Sequence, residues 1–177
     1  MRRALALGAA LGVVTASAVA VAKVFKLPDD AIQEHLGESV EVRNVVLTDD
    51  QVRDVEKASH AKVDSKLVSF YVGRANGNIK GYAFVDTHVV RTKPEAVLFV
   101  LTPSGDIDNI IVLSFREPLE FMPTERWMGL FKGRSLAKQS LRLRQEIPNI
   151  SGATLTARAV VESARKVLAL WQTLFKK

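Results

Sequence analysis

Lys66-Leu-Val-Ser-Phe-Tyr-Val-Gly-Arg74, then Asn76-Gly77-Asn78, then Ile79-Lys-Gly-Tyr-Ala-Phe-Val-Asp86 is the stretch that decides the fold. The first run is rich in β-branched and aromatic residues. Asn-Gly accepts the positive φ angles of a tight hairpin, so the chain turns there. The second run carries the strand on to Val90. Further along, Ala96–Leu101 reads as a third strand. Pro103-Ser104-Gly105-Asp106 is a second turn, and Ile107–Phe115 pairs back. Two hairpins joined in sequence predict a four-strand antiparallel meander. Gly73, Gly77 and Gly81 belong to the first hairpin, and Asp106 and Asp108 to a solvated turn.

Flanking segments are mixed. Ser39–Leu47 alternates around Val40 and Val42 as a half-buried strand. Thr48-Asp49-Asp50 starts a helix over 49–60, with a capping hydroxyl followed by acids at the positive end of the dipole. Beyond Pro118 and Pro123, short helical pieces are expected over Arg126–Phe131 and Ser135–Leu143. A long helix follows from Thr156 to about Phe175, with Val160, Val161, Ala164, Val167, Leu168 and Trp171 on one stripe. The fold class is therefore α+β, an antiparallel sheet packed by helices.

The composition of the 177 residues, 47% hydrophobic and 25% charged, excludes disorder and low-complexity architectures. No cysteine is present, which removes disulfides, thiolate zinc sites and iron–sulfur clusters. Met-Arg-Arg precedes an uncharged run of 19 residues, Ala4–Ala22, with small residues at its end. That is the pattern of an export signal, and the length also suits a membrane anchor. Residues 1–22 are thus expected to be a signal peptide or an anchor, and 23–177 the folded domain. Arg2 and Arg3 would stay inside, leaving the domain outside the cytoplasmic membrane. They account for two units of the net +6, so residues 23–177 carry +4. No basic, aromatic-interleaved stripe points to nucleic acid.

Motifs for common chemistries are missing. Gly129 and Gly133 have three residues between them where a phosphate loop needs four, and Arg134 stands where Lys is required. His35, His60 and His88 are scattered, as surface or core polar residues would be. No nucleotide fingerprint or acid–base pair is legible. What remains is Ile150-Ser151-Gly152-Ala153-Thr154-Leu155-Thr156-Ala157, an irregular segment of small residues and hydroxyls leading into the long helix. Such an entry serves either as an ordinary Ser/Thr cap or as an anion site, because helix N-termini attract phosphate.

Ser151-Gly152-Ala153-Thr154 followed by Leu155-Thr156 resembles the flavinylation motif of the FMN-binding domain family. That family includes flavin-carrying periplasmic subunits of sodium-translocating quinone reductase and Rnf complexes. Glu117-Pro118-Leu119-Glu120, Pro123, Arg126-Trp127, Phe131-Lys132-Gly133-Arg134 and Leu136 are similar to the stretch upstream of the family's site. The position six before Thr154, an Asp in the family, is Pro148 here, and the glycine-rich loop of larger members is lacking. The resemblance implies FMN joined through its phosphate to the Thr154 hydroxyl by an exported flavin transferase that uses FAD. Ser151, Gly152, Ala153, Leu155 and Thr156 would surround the phosphate. Leu119, Trp127 and Phe131 would supply apolar contacts to the flavin, and Glu117 with Lys132 or Arg134 polar ones. It also implies an extracytoplasmic electron carrier, working with a membrane redox protein or a cytochrome. A flavin-free binding module and a flavin-dependent reductase stay open beside it.

Overall fold

The computed structural model describes residues 23–176. The signal-or-anchor reading of 1–22 falls outside them. Among the described residues, no helix is long and apolar enough to cross a membrane.

The expected meander is present and wider than four strands. β1 (Lys23–Val24), β2 (Val40–Val46), β3 (Leu67–Ala75), β4 (Asn78–Val89), β5 (Pro94–Leu101) and β6 (Ile107–Phe115) form one antiparallel sheet in the order β1-β6-β5-β4-β3-β2. Asn76 and Gly77 both have positive φ (52° and 78°), the conformation of a two-residue hairpin turn. β5 is apolar almost throughout because both its faces are covered. Val97, Phe99 and Leu101 point to one core, and Leu98 and Val100 to another.

Helices cover the two faces. α1 (Pro28–Leu36) buries Ala31, Ile32 and Leu36 against Ala83, Leu98, Val100 and Leu113. The larger core lies on the opposite face. There α4 (Thr154–Phe175) lays Val160, Val161, Ala164, Val167, Leu168 and Trp171 over Phe84, Val97 and Phe99, all of them buried. α2 (Asp49–Ser59) packs beside α4. Its start is as the sequence predicts: Thr48 Oγ1 accepts from the Gln51 amide, and the Gln51 side chain caps Thr48 in return. A further helix, α3 (Glu125–Met128), runs into a 3-10 turn over Gly129–Phe131.

Gly73 and Gly81 face each other across β3 and β4. A methyl on Gly73 would lie 2.6 Å from the Cβ of Leu36, so these glycines let α1 sit close on the sheet. Gly73→Ala is expected to lower stability by about 2 kcal/mol through overpacking. Denaturant unfolding would register this as a lower midpoint with an unchanged slope.

Two expectations are corrected. Ser135–Leu143 is not helical: a turn at 136–138 gives way to irregular chain. Leu141 is left-handed at φ 52°, and the Glu146 carboxylate takes the amides of Ser140 and Arg142 in place of helix carbonyls. The last helix begins at Thr154 rather than Thr156. Gly152, at φ 78°, turns the chain, and the Ala153 carbonyl already accepts the Ala157 amide at 3.0 Å.

Candidate functional site

The first turn of α4 is open. Its N-cap is Ala153, no side chain caps it, and the Thr154, Leu155 and Thr156 amides precede the first intrahelical bond. Unpaired amides at the positive end of a 22-residue helix favour an anion. Thr154 is half-buried at the first helical position, so the three hydroxyls are not side-chain caps. Asn149 Nδ2 donates to Thr154 Oγ1 at 2.8 Å, and Asn149 Oδ1 is buried without a partner. Thr156 and Ala153 are buried, whereas Ser151, Gly152 and Leu155 are exposed. Gly152 is needed for its φ, since a Cβ there would meet nothing.

Thr154 stands between two concavities. One, of about 160 Å³, is lined by Arg91, Phe121 and Gly152–Thr156. The Arg91 guanidinium lies 5.1 Å from the centre of the Phe121 ring. The other, of about 270 Å³, lies along the flank of α4 and includes Arg142, Arg144, Arg158 and Arg165.

The upstream candidates divide by position. Glu117 Oε1 accepts the Thr92 and Lys93 amides at 2.8 and 2.9 Å, which fixes the turn carrying Arg91. Those amide bonds, from Thr92 first, hold its carboxyl below the usual range. Leu119 is exposed and opens a 3-10 turn that ends at Phe121. Trp127 is in the core, edge-on to the fully buried Phe131, and its Nε1 donates to the Pro148 carbonyl at 2.8 Å. It thereby fastens the segment that leads to Asn149. Lys132 pairs with Asp108 at 3.2 Å, and Arg134 Nε donates to the Leu130 carbonyl. Asp106 is tied to Lys138 at 2.9 Å. Arg91, Phe121 and Asn149 were not singled out from sequence, although Phe121 and Asn149 each adjoin a stretch that was.

A second polar cluster lies further along α4. Ser163 Oγ is 3.0 Å from His88 Nδ1, and His88 Nε2 is 3.0 Å from Glu95 Oε2. Asp86 also touches His88 at 3.0 Å, Ser163 at 2.5 Å and Lys166 at 2.7 Å. The order hydroxyl, imidazole, carboxylate is that of a hydrolase triad, but the chemistry differs. Burial alone would lower the His88 pKa. Hydrogen bonds to Asp86 and Glu95 outweigh it and raise the value to about 9. An imidazole already protonated at neutral pH is no general base. Ser163 lies in the middle of a helix, where backbone amides are committed. The cluster pins α4 to β4 and β5, so His88 is a core polar residue. Among the described residues, no group of His, Asp and Glu is arranged to hold a metal.

Residues 36–169 match the model of the FMN-binding domain. Over 143 residues the chain is 27% identical to one component of the Na(+)-translocating ferredoxin:NAD(+) oxidoreductase complex of Acetobacterium woodii. The match takes in 70% of this chain and 66% of that protein, just under two thirds of its length. With most of its length matched, the chain belongs to the FMN-binding domain family.

Proposed function

We propose that this protein is an extracytoplasmic electron carrier with FMN attached through its phosphate to Thr154 Oγ. The observation that carries the reading is the placing of Thr154: a hydroxyl held by Asn149 at the uncapped start of α4, within Ser151-Gly152-Ala153-Thr154. The residues present fit a phosphate ester. Three amides are open to its oxygens, and the Asn149 amide nitrogen reaches Thr154 Oγ1, the oxygen that the ester would use. Arg91 and Phe121 offer a cation and a ring face on one side. When bound, FMN supplies one- and two-electron redox chemistry.

Loading is a transfer in which Thr154 Oγ forms a bond to the flavin-side phosphorus of FAD. The phosphoanhydride bond breaks, AMP leaves with the electron pair, and the hydroxyl proton passes to solvent. An exported flavin transferase is the catalyst. Residues 1–22 serve as signal or anchor, and the tether keeps the cofactor from being lost outside the cytoplasm. The electron partners are a membrane redox protein or a cytochrome, in line with the relative's place in an oxidoreductase complex. Pro148, where the family has an acid, favours a second reading as a flavin-free module of the same fold. In this chain Asn149, the next residue, makes the polar contact to the acceptor hydroxyl.

Co-production of the full chain with a flavin transferase, followed by denaturing electrophoresis, tests the proposal. A fluorescent band at the size of the protein is expected, and a colourless band would support the flavin-free module. Asn149→Ala is expected to slow loading by roughly fivefold, the worth of one hydrogen bond to the reacting hydroxyl. The rate of band appearance measures that loss.

A further inference from the structure

We infer that the groove along α4 is a diphosphate subsite that receives the flavin dinucleotide at Thr154. The inference deepens the reading of Thr154 as the flavin acceptor and rests on it for the identity of the ligand. Arg142, Arg144, Arg158 and Arg165 line the groove together with Thr154, and Glu162 is the only acid among the lining residues. The lining therefore carries three positive charges in excess. A phosphodiester on Thr154 brings a single negative charge, too little to balance that lining. A diphosphate brings two or three and spans two adjacent groups of oxygens. Guanidinium groups pair such oxygens in bidentate fashion.

The groove is built rather than incidental. Arg165 Nε is buried with no hydrogen-bond partner. Arg142 and Arg144 project from a segment fixed at both ends by Leu141 and Ile147, which are fully buried. The Glu146 carboxylate locks that segment from inside by accepting from the Ser140 hydroxyl at 2.7 Å and from the Arg142 amide at 2.6 Å. Leu141 and Arg144 both adopt left-handed backbone, at φ 52° and 68°. Such conformations are costly for residues other than glycine and persist where the surroundings enforce them. Arg158 and Arg165 approach from α4, two turns apart on the face that also carries Glu162. A ligand lying between the two elements has one end at Thr154, which lines the groove. Its second phosphate falls among the arginines, the position of the leaving half during loading.

The test uses the full chain produced without transferase, and inorganic pyrophosphate, orthophosphate, sulfate and FAD as probes. Calorimetry is paired with amide NMR of Thr154–Arg158 and Arg142–Arg144. Pyrophosphate and FAD are expected to bind at least about tenfold more tightly than sulfate or orthophosphate, moving the amides of both segments. Arg142→Gln/Arg158→Gln, at two exposed positions, is expected to weaken pyrophosphate by about tenfold or more while leaving the melting temperature unchanged. Glu162→Gln should tighten it. Equal, weak binding of all four probes that ignores the double variant would overturn the proposal, as would shifts confined to the first turn of α4. Neither result depends on covalent loading. A chain that binds pyrophosphate but never gains flavin, or one that gains flavin without binding pyrophosphate, separates this proposal from that of the acceptor site.

Discussion

Thr154→Ala is expected to abolish covalent flavin, while Thr154→Ser retains it at a reduced rate. The effect is all or none because a phosphoester needs an oxygen at this position. The neighbouring hydroxyls do not replace it: Thr156 is buried at 1% exposure, and Ser151 lies on the far side of the Gly152 turn, outside the helix. Serine keeps the oxygen and the Asn149 hydrogen bond but lacks the methyl that fixes the threonine rotamer, so loading slows without ending. Thr154 is half-buried and caps nothing, hence both variants should fold and melt close to the parent. Flavin fluorescence after denaturing electrophoresis, read beside the melting curve, distinguishes lost chemistry from lost structure.

Removing the imidazole of the buried cluster should have the largest effect on stability. His88 joins Asp86 and Glu95 at 3.0 Å each, and Glu95 is 1% exposed. In His88→Gln these carboxylates lose their shared cation in a water-poor site, and breaking such an arrangement costs about 3–5 kcal/mol. A pH signature accompanies it. The folded-state pKa of His88 is raised from 6.5 to about 9, so its contribution is fully present below pH 6.5. It declines as pH rises and is gone above about 9, a loss of roughly 3 kcal/mol. Asp86 has the opposite sign. Burial alone would raise its pKa, but His88, Lys166 and Ser163 hold it far below 3.8. Its contribution is present above pH 3.8 and is lost only in strong acid. Urea midpoints from about pH 6 to 10 should fall for the parent and stay nearly flat for His88→Gln. Parallel curves would show that the cluster contributes no proton linkage.

The meander was legible because its turns carry their own chemistry. Asn76-Gly77 and Pro103-Ser104-Gly105 punctuate apolar runs, and the period of two places Phe99 and Leu98 on opposite faces without further information. α1 went unread, although Pro28 at the first helical position with Asp29 and Asp30 behind it is a start signal. A nine-residue helix offers little more than two turns of periodicity, and α1 is placed by Gly73 and Gly81, far along the chain. The segment from Ser135 to Leu143 has no glycine or proline to stop a helix, so its local pattern could not exclude one. The tertiary bonds of Glu146 decided it.

The site was legible in one dimension only. Thr154 and its neighbours are contiguous, so a motif exposes them. Arg91, Phe121 and Asn149 converge on Thr154 from separate segments, and only the fold brings them there. The four arginines are likewise split between the 140–147 segment and α4. Trp127 and Phe131 stand four apart, a spacing that suits a core pair as well as a flavin contact, and the Trp127 ring packs on Phe131 with Nε1 bound to Pro148.

Mass spectrometry under denaturing conditions, on protein co-produced with a flavin transferase, decides whether Thr154 carries the flavin. Attachment at Thr154 predicts a gain equal to FMN less one water, carried wholly by the tryptic peptide of residues 145–158 and absent from Thr154→Ala. An unmodified mass, or the same gain on any peptide without Thr154, would contradict it.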